Sequence, residues 1–148
     1  MLHALRSLPR LAAAACLALV LTACGGGGDD GYVTFDIGIE VSGQPISGGH
    51  VHPGQSQAIS IYAGDTLKLD ANEPVVWSLS VGGTEVSGSG TTVYYGGIGV
   101  TLDSLSSSRI LVDTFSTSAF SSPVPLVFTA TSTYDAAVVA TVTVWVYY

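Results

Sequence analysis

The sequence predicts an all-β domain, an antiparallel β-sandwich of seven to nine short strands, on three observations. Apolar and polar residues alternate with period two through much of the chain after residue 31, the pattern of strands that bury one face. Glycine-rich and proline-containing turn signals interrupt that alternation at short intervals, as they do where compact sheets reverse direction. No segment of the same region carries the 3.6-residue period of an amphipathic helix.

The first strand is expected over 32–41, where Val33, Phe35, Ile37, Ile39 and Val41 alternate with Thr34, Asp36 and Glu40. Ser42-Gly43-Gln44-Pro45 and Ser47-Gly48-Gly49 then read as turns, because Gly and Pro favour backbone geometries that strand interiors do not use. A less regular strand over 58–62 is closed by Ala63-Gly64-Asp65, and Leu67-Lys68-Leu69 resumes the alternation. Val75, Trp77, Leu79 and Val81 follow, which places Trp77 in the core between two sheets. Turns are expected at Gly82-Gly83, Gly88-Ser89-Gly90 and Gly96-Gly97, and a further strand carries Ile98, Val100 and Leu102. The β-branched and aromatic stretches 110–115 and 126–134 are separated by Ser121-Ser122-Pro123, and Ala140, Val142, Val144 and Val146 form the last strand.

The stretch Ala63-Gly64-Asp65-Thr66-Leu67-Lys68-Leu69 followed by Val75-Val76-Trp77-Ser78-Leu79 resembles the B and C strands of an immunoglobulin-like domain. The resemblance implies that Trp77 packs between the sheets, as the strand C tryptophan of that fold does. It is specific only around residues 64–79; the cysteine pair of antibody domains is absent, and Tyr134 is a poor match to the tyrosine corner. A jelly roll or another Greek-key sandwich fits the same rhythm.

The N-terminal segment speaks to location. Arg6 and Arg10 precede an apolar stretch, residues 11–21, that ends in Leu21-Thr22-Ala23-Cys24. That stretch is of signal-peptide length and shorter than the roughly 20 apolar residues that span a bilayer. Leu21 to Cys24 resembles the lipobox of bacterial lipoproteins, which implies removal of residues 1–23 and lipidation of Cys24. The competing reading is an ordinary secretory signal cut near Ala23, or an uncleaved anchor. Each buried methylene contributes about 0.8 kcal/mol, so two or three acyl chains on Cys24 would hold the protein at a membrane essentially permanently. Residues 24–31, rich in Gly with Asp29 and Asp30, have the composition of a flexible tether, and residues 32–148 are the expected sandwich. In Gram-negative lipoproteins an Asp after the lipidated Cys favours inner-membrane retention; Gly25 stands there, which by that resemblance favours the outer membrane of the cell envelope.

Charge and cysteine use exclude several function classes. Loss of residues 1–23 leaves Lys68 and Arg109 as the two basic residues against eleven acidic ones, a formal −9. Such a surface offers nothing to nucleic acid and is repelled by anionic head groups, so membrane contact would come from the lipid alone. Cys16 leaves with the signal and Cys24 is taken by lipid. The folded part then has no disulfide, thiolate metal site or cysteine nucleophile, and must be held by its own core.

Motifs for chemistry are sparse. His50 and His52 would point the same way in an extended segment and could face one ion, but no third ligand is adjacent and Pro53-Gly54 marks a turn. They read as exposed loop histidines, and no metal or cofactor is assigned. No Gly-x-Ser-x-Gly elbow is present, and a Ser-His-Asp triad cannot be built from these histidines. Asp65, Asp70, Glu73, Asp103, Asp113 and Asp135 lie in or near expected turns without the spacing of a calcium loop. Trp145 and Tyr147 alternate against Val142, Val144 and Val146 and so share the opposite face with Val139. They form a candidate binding face, the competing reading being a strand packed on both sides.

The expected function is a membrane-anchored, non-catalytic lipoprotein that binds or scaffolds an envelope protein or glycan. The alternative is an envelope enzyme acting on carbohydrate or peptidoglycan through scattered carboxylates, for which no paired acid and base can be named.

Overall fold

The computed structural model describes residues 34–148. They form eleven strands: β1 (Ile37–Val41), β2 (Gln44–Val51), β3 (Ser56–Tyr62), β4 (Thr66–Ala71), β5 (Val75–Val81), β6 (Thr84–Val86), β7 (Thr91–Tyr95), β8 (Ile98–Leu105), β9 (Arg109–Ser116), β10 (Val124–Ser132) and β11 (Val139–Tyr147). The signal peptide over 1–23, Cys24 and the tether over 24–31 lie outside the described residues, as do Tyr32 and Val33 of the first expected strand. Among the described residues no helix is long and apolar enough to cross a membrane.

Two sheets make the sandwich, a six-stranded one in the order β2-β1-β4-β9-β8-β7 and a five-stranded one in the order β3-β11-β10-β5-β6. All neighbours are antiparallel except β3, which runs parallel to β11. The strand count exceeds the expected seven to nine through β2, which spans the expected turns at Gln44-Pro45 and 47–49, and through β6 and β7, which lie between expected turns; each is at a sheet edge, where pairing does not require a fully buried face.

Period-two alternation places one face of every central strand inside. Val75, Trp77, Leu79 and Val81 of β5 are buried, and so are Leu126, Phe128 and Ala130 of β10 and Ala140, Val142, Val144 and Val146 of β11. Opposite them stand Ile37 and Ile39 of β1, Leu67 and Leu69 of β4, Val100 and Leu102 of β8, and Ile110 and Val112 of β9. Each large aliphatic or aromatic side chain so buried contributes about 1.5 to 3 kcal/mol relative to exposure. Trp77, 8% exposed, is part of this core, as the alternation predicts. Its indole Nε1 has no hydrogen-bond partner.

Three tight hairpins tie neighbouring strands. Ser42-Gly43, Gly82-Gly83 and Gly96-Gly97 each take positive φ at both residues, the two-residue turn whose twist matches that of the strands it joins. Thr114 on β9, only 4% exposed, donates its hydroxyl to the Asp65 carbonyl at 2.8 Å. The Gly64 N–H donates to the Thr114 carbonyl at 2.9 Å. These bonds fasten the β3–β4 turn, and hence the end of β3, to the opposite sheet.

Candidate functional site

The two outer faces of the sandwich differ in charge. The six-stranded sheet carries Glu40, Lys68, Asp70, Asp103, Arg109 and Asp113 on its strands, whereas Glu85 on the edge strand β6 is the single charged residue in the five strands of the other sheet. On the charged face, cross-strand register sets Glu40 against Lys68 and Asp70 against Arg109. Lys68 Nζ lies 2.7 Å from Glu40 and 3.0 Å from Asp70, and Arg109 Nε donates to Asp70 at 2.6 Å. Burial draws the Asp70 carboxyl upward, but the hydrogen bonds from Arg109 and Lys68 outweigh it and hold the group below the usual carboxylate range. Lys68, bonded to Glu40 and Asp70, is held above its ordinary value. Both basic residues of the described chain are thereby occupied on one face.

Apart from Glu85 at its edge, the face of the five-stranded sheet is built from hydroxyl-bearing, aromatic and small aliphatic residues, Val76 among them at 61% exposed. The register aligns Trp145 with Pro125 on one side and Ser60 on the other, with Thr129, Thr141 and Thr143 further along the same face. Trp145 is half-buried there, while Tyr147 is 42% exposed. The expected Trp145–Tyr147 stripe therefore exists as a face, but its tryptophan lies partly covered within the sheet and its tyrosine is open.

At one end of this face the aromatic residues gather around a cleft of about 220 Å³. The parallel register sets Tyr62, the last residue of β3, beside Tyr147, the last of β11, and their rings stand 6.5 Å apart at 57°. Opposite them the β9–β10 loop contributes Phe120, Ser121, Ser122 and Pro123. Phe120 meets Tyr148 edge to face at 5.6 Å. No charged side chain lines the cleft. Asp65, which follows the same turn as Tyr62, is occupied: its Oδ2 accepts the Tyr62 N–H at 2.9 Å and its Oδ1 the Ser42 hydroxyl at 2.9 Å.

Of the candidate site residues expected from the sequence, only Tyr147 belongs to the cleft. Tyr62 and Phe120 leave no signal in the sequence; with Tyr148, which follows Tyr147 in the aromatic ending, they converge through the parallel β3–β11 pairing and a loop, neither of which is periodic. His50 is corrected from a loop residue to a strand residue on β2, and both histidine side chains are largely exposed. The fold brings them a carboxylate that spacing could not reveal: Asp36 Oδ2 lies 2.7 Å from His50 Nδ1 and Asp36 Oδ1 3.8 Å from His52 Nδ1. Among the described residues no group of three or more His, Cys, Asp or Glu is set to hold a metal ion.

The carboxylates expected in or near turns divide. Asp70, Asp103 and Asp113 lie within strands, and Asp113 accepts the Thr66 hydroxyl at 2.7 Å. Asp135 sits in the β10–β11 turn and accepts the Ala137 N–H at 2.9 Å. Asp70, Asp113 and Asp135 fix local structure at separate places, and none of the four lines the cleft.

No protein-family model, curated protein or solved structure matches the chain. The functional reading rests on its residues and their geometry.

Proposed function

We propose that the chain is a membrane-anchored, non-catalytic lipoprotein of the bacterial cell envelope that binds another envelope component through the outer face of its five-stranded sheet. One observation carries this reading: of the seven charged residues that lie on strands, six are on the other sheet, leaving a hydroxyl-rich face that ends in an aromatic cleft. A surface kept soluble by charge on one side and stripped of charge on the other is suited to contact, because interface centres are depleted in charged residues and enriched in aromatic ones.

The anchor is proposed from Leu21-Thr22-Ala23-Cys24 and the basic, apolar segment before it. Gly25 favours the outer membrane as its destination. The sandwich is read as immunoglobulin-like: β1-β4-β9-β8 and β5-β10-β11 run in the order of strands A, B, E, D and C, F, G, with Trp77 on the strand in the C position. That fold assigns no function by itself; the face does.

Two experiments test the two halves of this reading. Cys24→Ser should leave the domain folded and move it from the detergent phase to the aqueous phase, and equal partitioning of variant and wild type would contradict the anchor. In affinity capture of the native protein from membranes, Tyr62→Ser combined with Tyr147→Ser should remove the co-purifying component. Unchanged capture would move the binding site elsewhere.

A further inference from the structure

Building on the binding role above, we propose that the cleft between Tyr62, Tyr147, Tyr148 and the Phe120–Pro123 loop takes a ring of a neutral sugar chain. The cleft is small. At about 220 Å³ it falls below the roughly 300 Å³ at which pockets begin to enclose whole small ligands. It accommodates one ring-sized group of a longer molecule that continues across the surface.

Its lining selects the chemistry of that group. Three tyrosines and Phe120 supply aromatic planes and edges, and Tyr62 and Tyr148, each 67% exposed, are open to a ligand. A pyranose ring has what such planes accept, an apolar face of C–H bonds ringed by hydroxyls. Five of the lining residues carry hydroxyls, Tyr62, Ser121, Ser122, Tyr147 and Tyr148, and each hydroxyl can donate and accept. A sugar hydroxyl does both as well. A proline-rich peptide, which also favours aromatic grooves, offers them carbonyl acceptors and almost no donors, so half of that capacity would be unused.

Charge selects further. No charged side chain lines the cleft, and the described chain carries nine carboxylates against Lys68 and Arg109, both drawn into ion pairs on the opposite sheet. A phosphorylated or uronic chain would meet a repulsive field without a compensating cation; a neutral chain would not. The next ring of a bound chain would pass toward Trp145, two residues back along β11 on the same face and about 7 Å from Tyr147 at strand spacing.

The test is titration of the lipidated protein in detergent with short chito-, cello- and malto-oligosaccharides, with oligogalacturonate as the anionic comparison. Binding is read by calorimetry and by tyrosine fluorescence. At least one neutral series should bind, nearly independently of salt, and oligogalacturonate should not. Tyr62→Ser with Tyr147→Ser, and separately Tyr148→Ala, should each weaken the neutral ligand by about tenfold or more while the thermal transition is retained. The Tyr148→Ala variant keeps both strands intact, so its result stands even if the double variant unfolds. Failure of all three neutral series, or undiminished binding by Tyr148→Ala and the double variant, overturns the proposal. Loss of the captured component after protease treatment of the membranes, with no neutral chain bound, also overturns it, while the broader binding role would stand.

Discussion

Trp77 shows what a single residue's place in a pattern can reveal. Its period-two company of Val75, Leu79 and Val81 set it inside, and it lies there at 8% exposure. The pattern could not reveal that its indole N–H goes without a partner, since hydrogen bonding depends on residues distant in the chain. Truncation of Trp77 to Ala should cost about 3 to 5 kcal/mol, as large aromatic deletions in cores do, measured by denaturant unfolding. In a Trp145→Phe protein, Trp77 should emit at short wavelength and resist quenching by iodide; red-shifted, readily quenched emission would contradict its placement. Trp145 was legible only in part. Alternation gave its face correctly, but its partial burial follows from β11 being flanked by both β3 and β10, which period alone does not encode.

At the scale of elements, every central strand was readable, and of the four edge strands only β3 was. The eight strands anticipated from the sequence include every interior member of both sheets, and all three that were missed occupy edges. β2 carries Pro45, Gly48 and Gly49, and its pairing with β1 is irregular between Gly38 and Glu40. Such features disqualify an interior strand but suit an edge, where one row of backbone groups faces solvent. β6 has only three residues, and Thr91–Tyr95 of β7 buries none of its side chains fully. The cross-strand ladder of Glu40, Lys68, Asp70 and Arg109 likewise needed the register of β1, β4 and β9 to be seen. Because Asp70 is held below its ordinary pKa in the folded state, its contribution is present above the usual carboxylate range and is lost as pH falls through and below it. The Asp70→Asn protein should therefore show a shallower loss of stability than wild type between neutral and strongly acidic pH, followed by thermal unfolding across that range. Lys68 and Arg109, held above their ordinary values, keep their contribution at neutral pH and lose it only at strongly alkaline pH.

At the scale of the whole molecule, the sequence announces acidity but not where the acid lies. Only the assembled sheets separate a face laced with ion pairs from one with Glu85 as its single charged strand residue. The aromatic cleft is likewise a product of topology, since Tyr62 and Tyr147 are far apart in the chain and meet through parallel pairing. If the proposed tether holds the domain at a membrane, its acidity would keep it off anionic head groups and would leave the face of the five-stranded sheet open for contact.

The most direct test of that asymmetry is a hydrogen-exchange footprint of the native protein bound to a component it captures from membranes, compared with the free protein. Slowed exchange confined to the ends of β3 and β11 and the 120–123 loop is the predicted result. Protection centred on the Glu40–Lys68–Asp70–Arg109 face, with the aromatic end unchanged, would contradict the account.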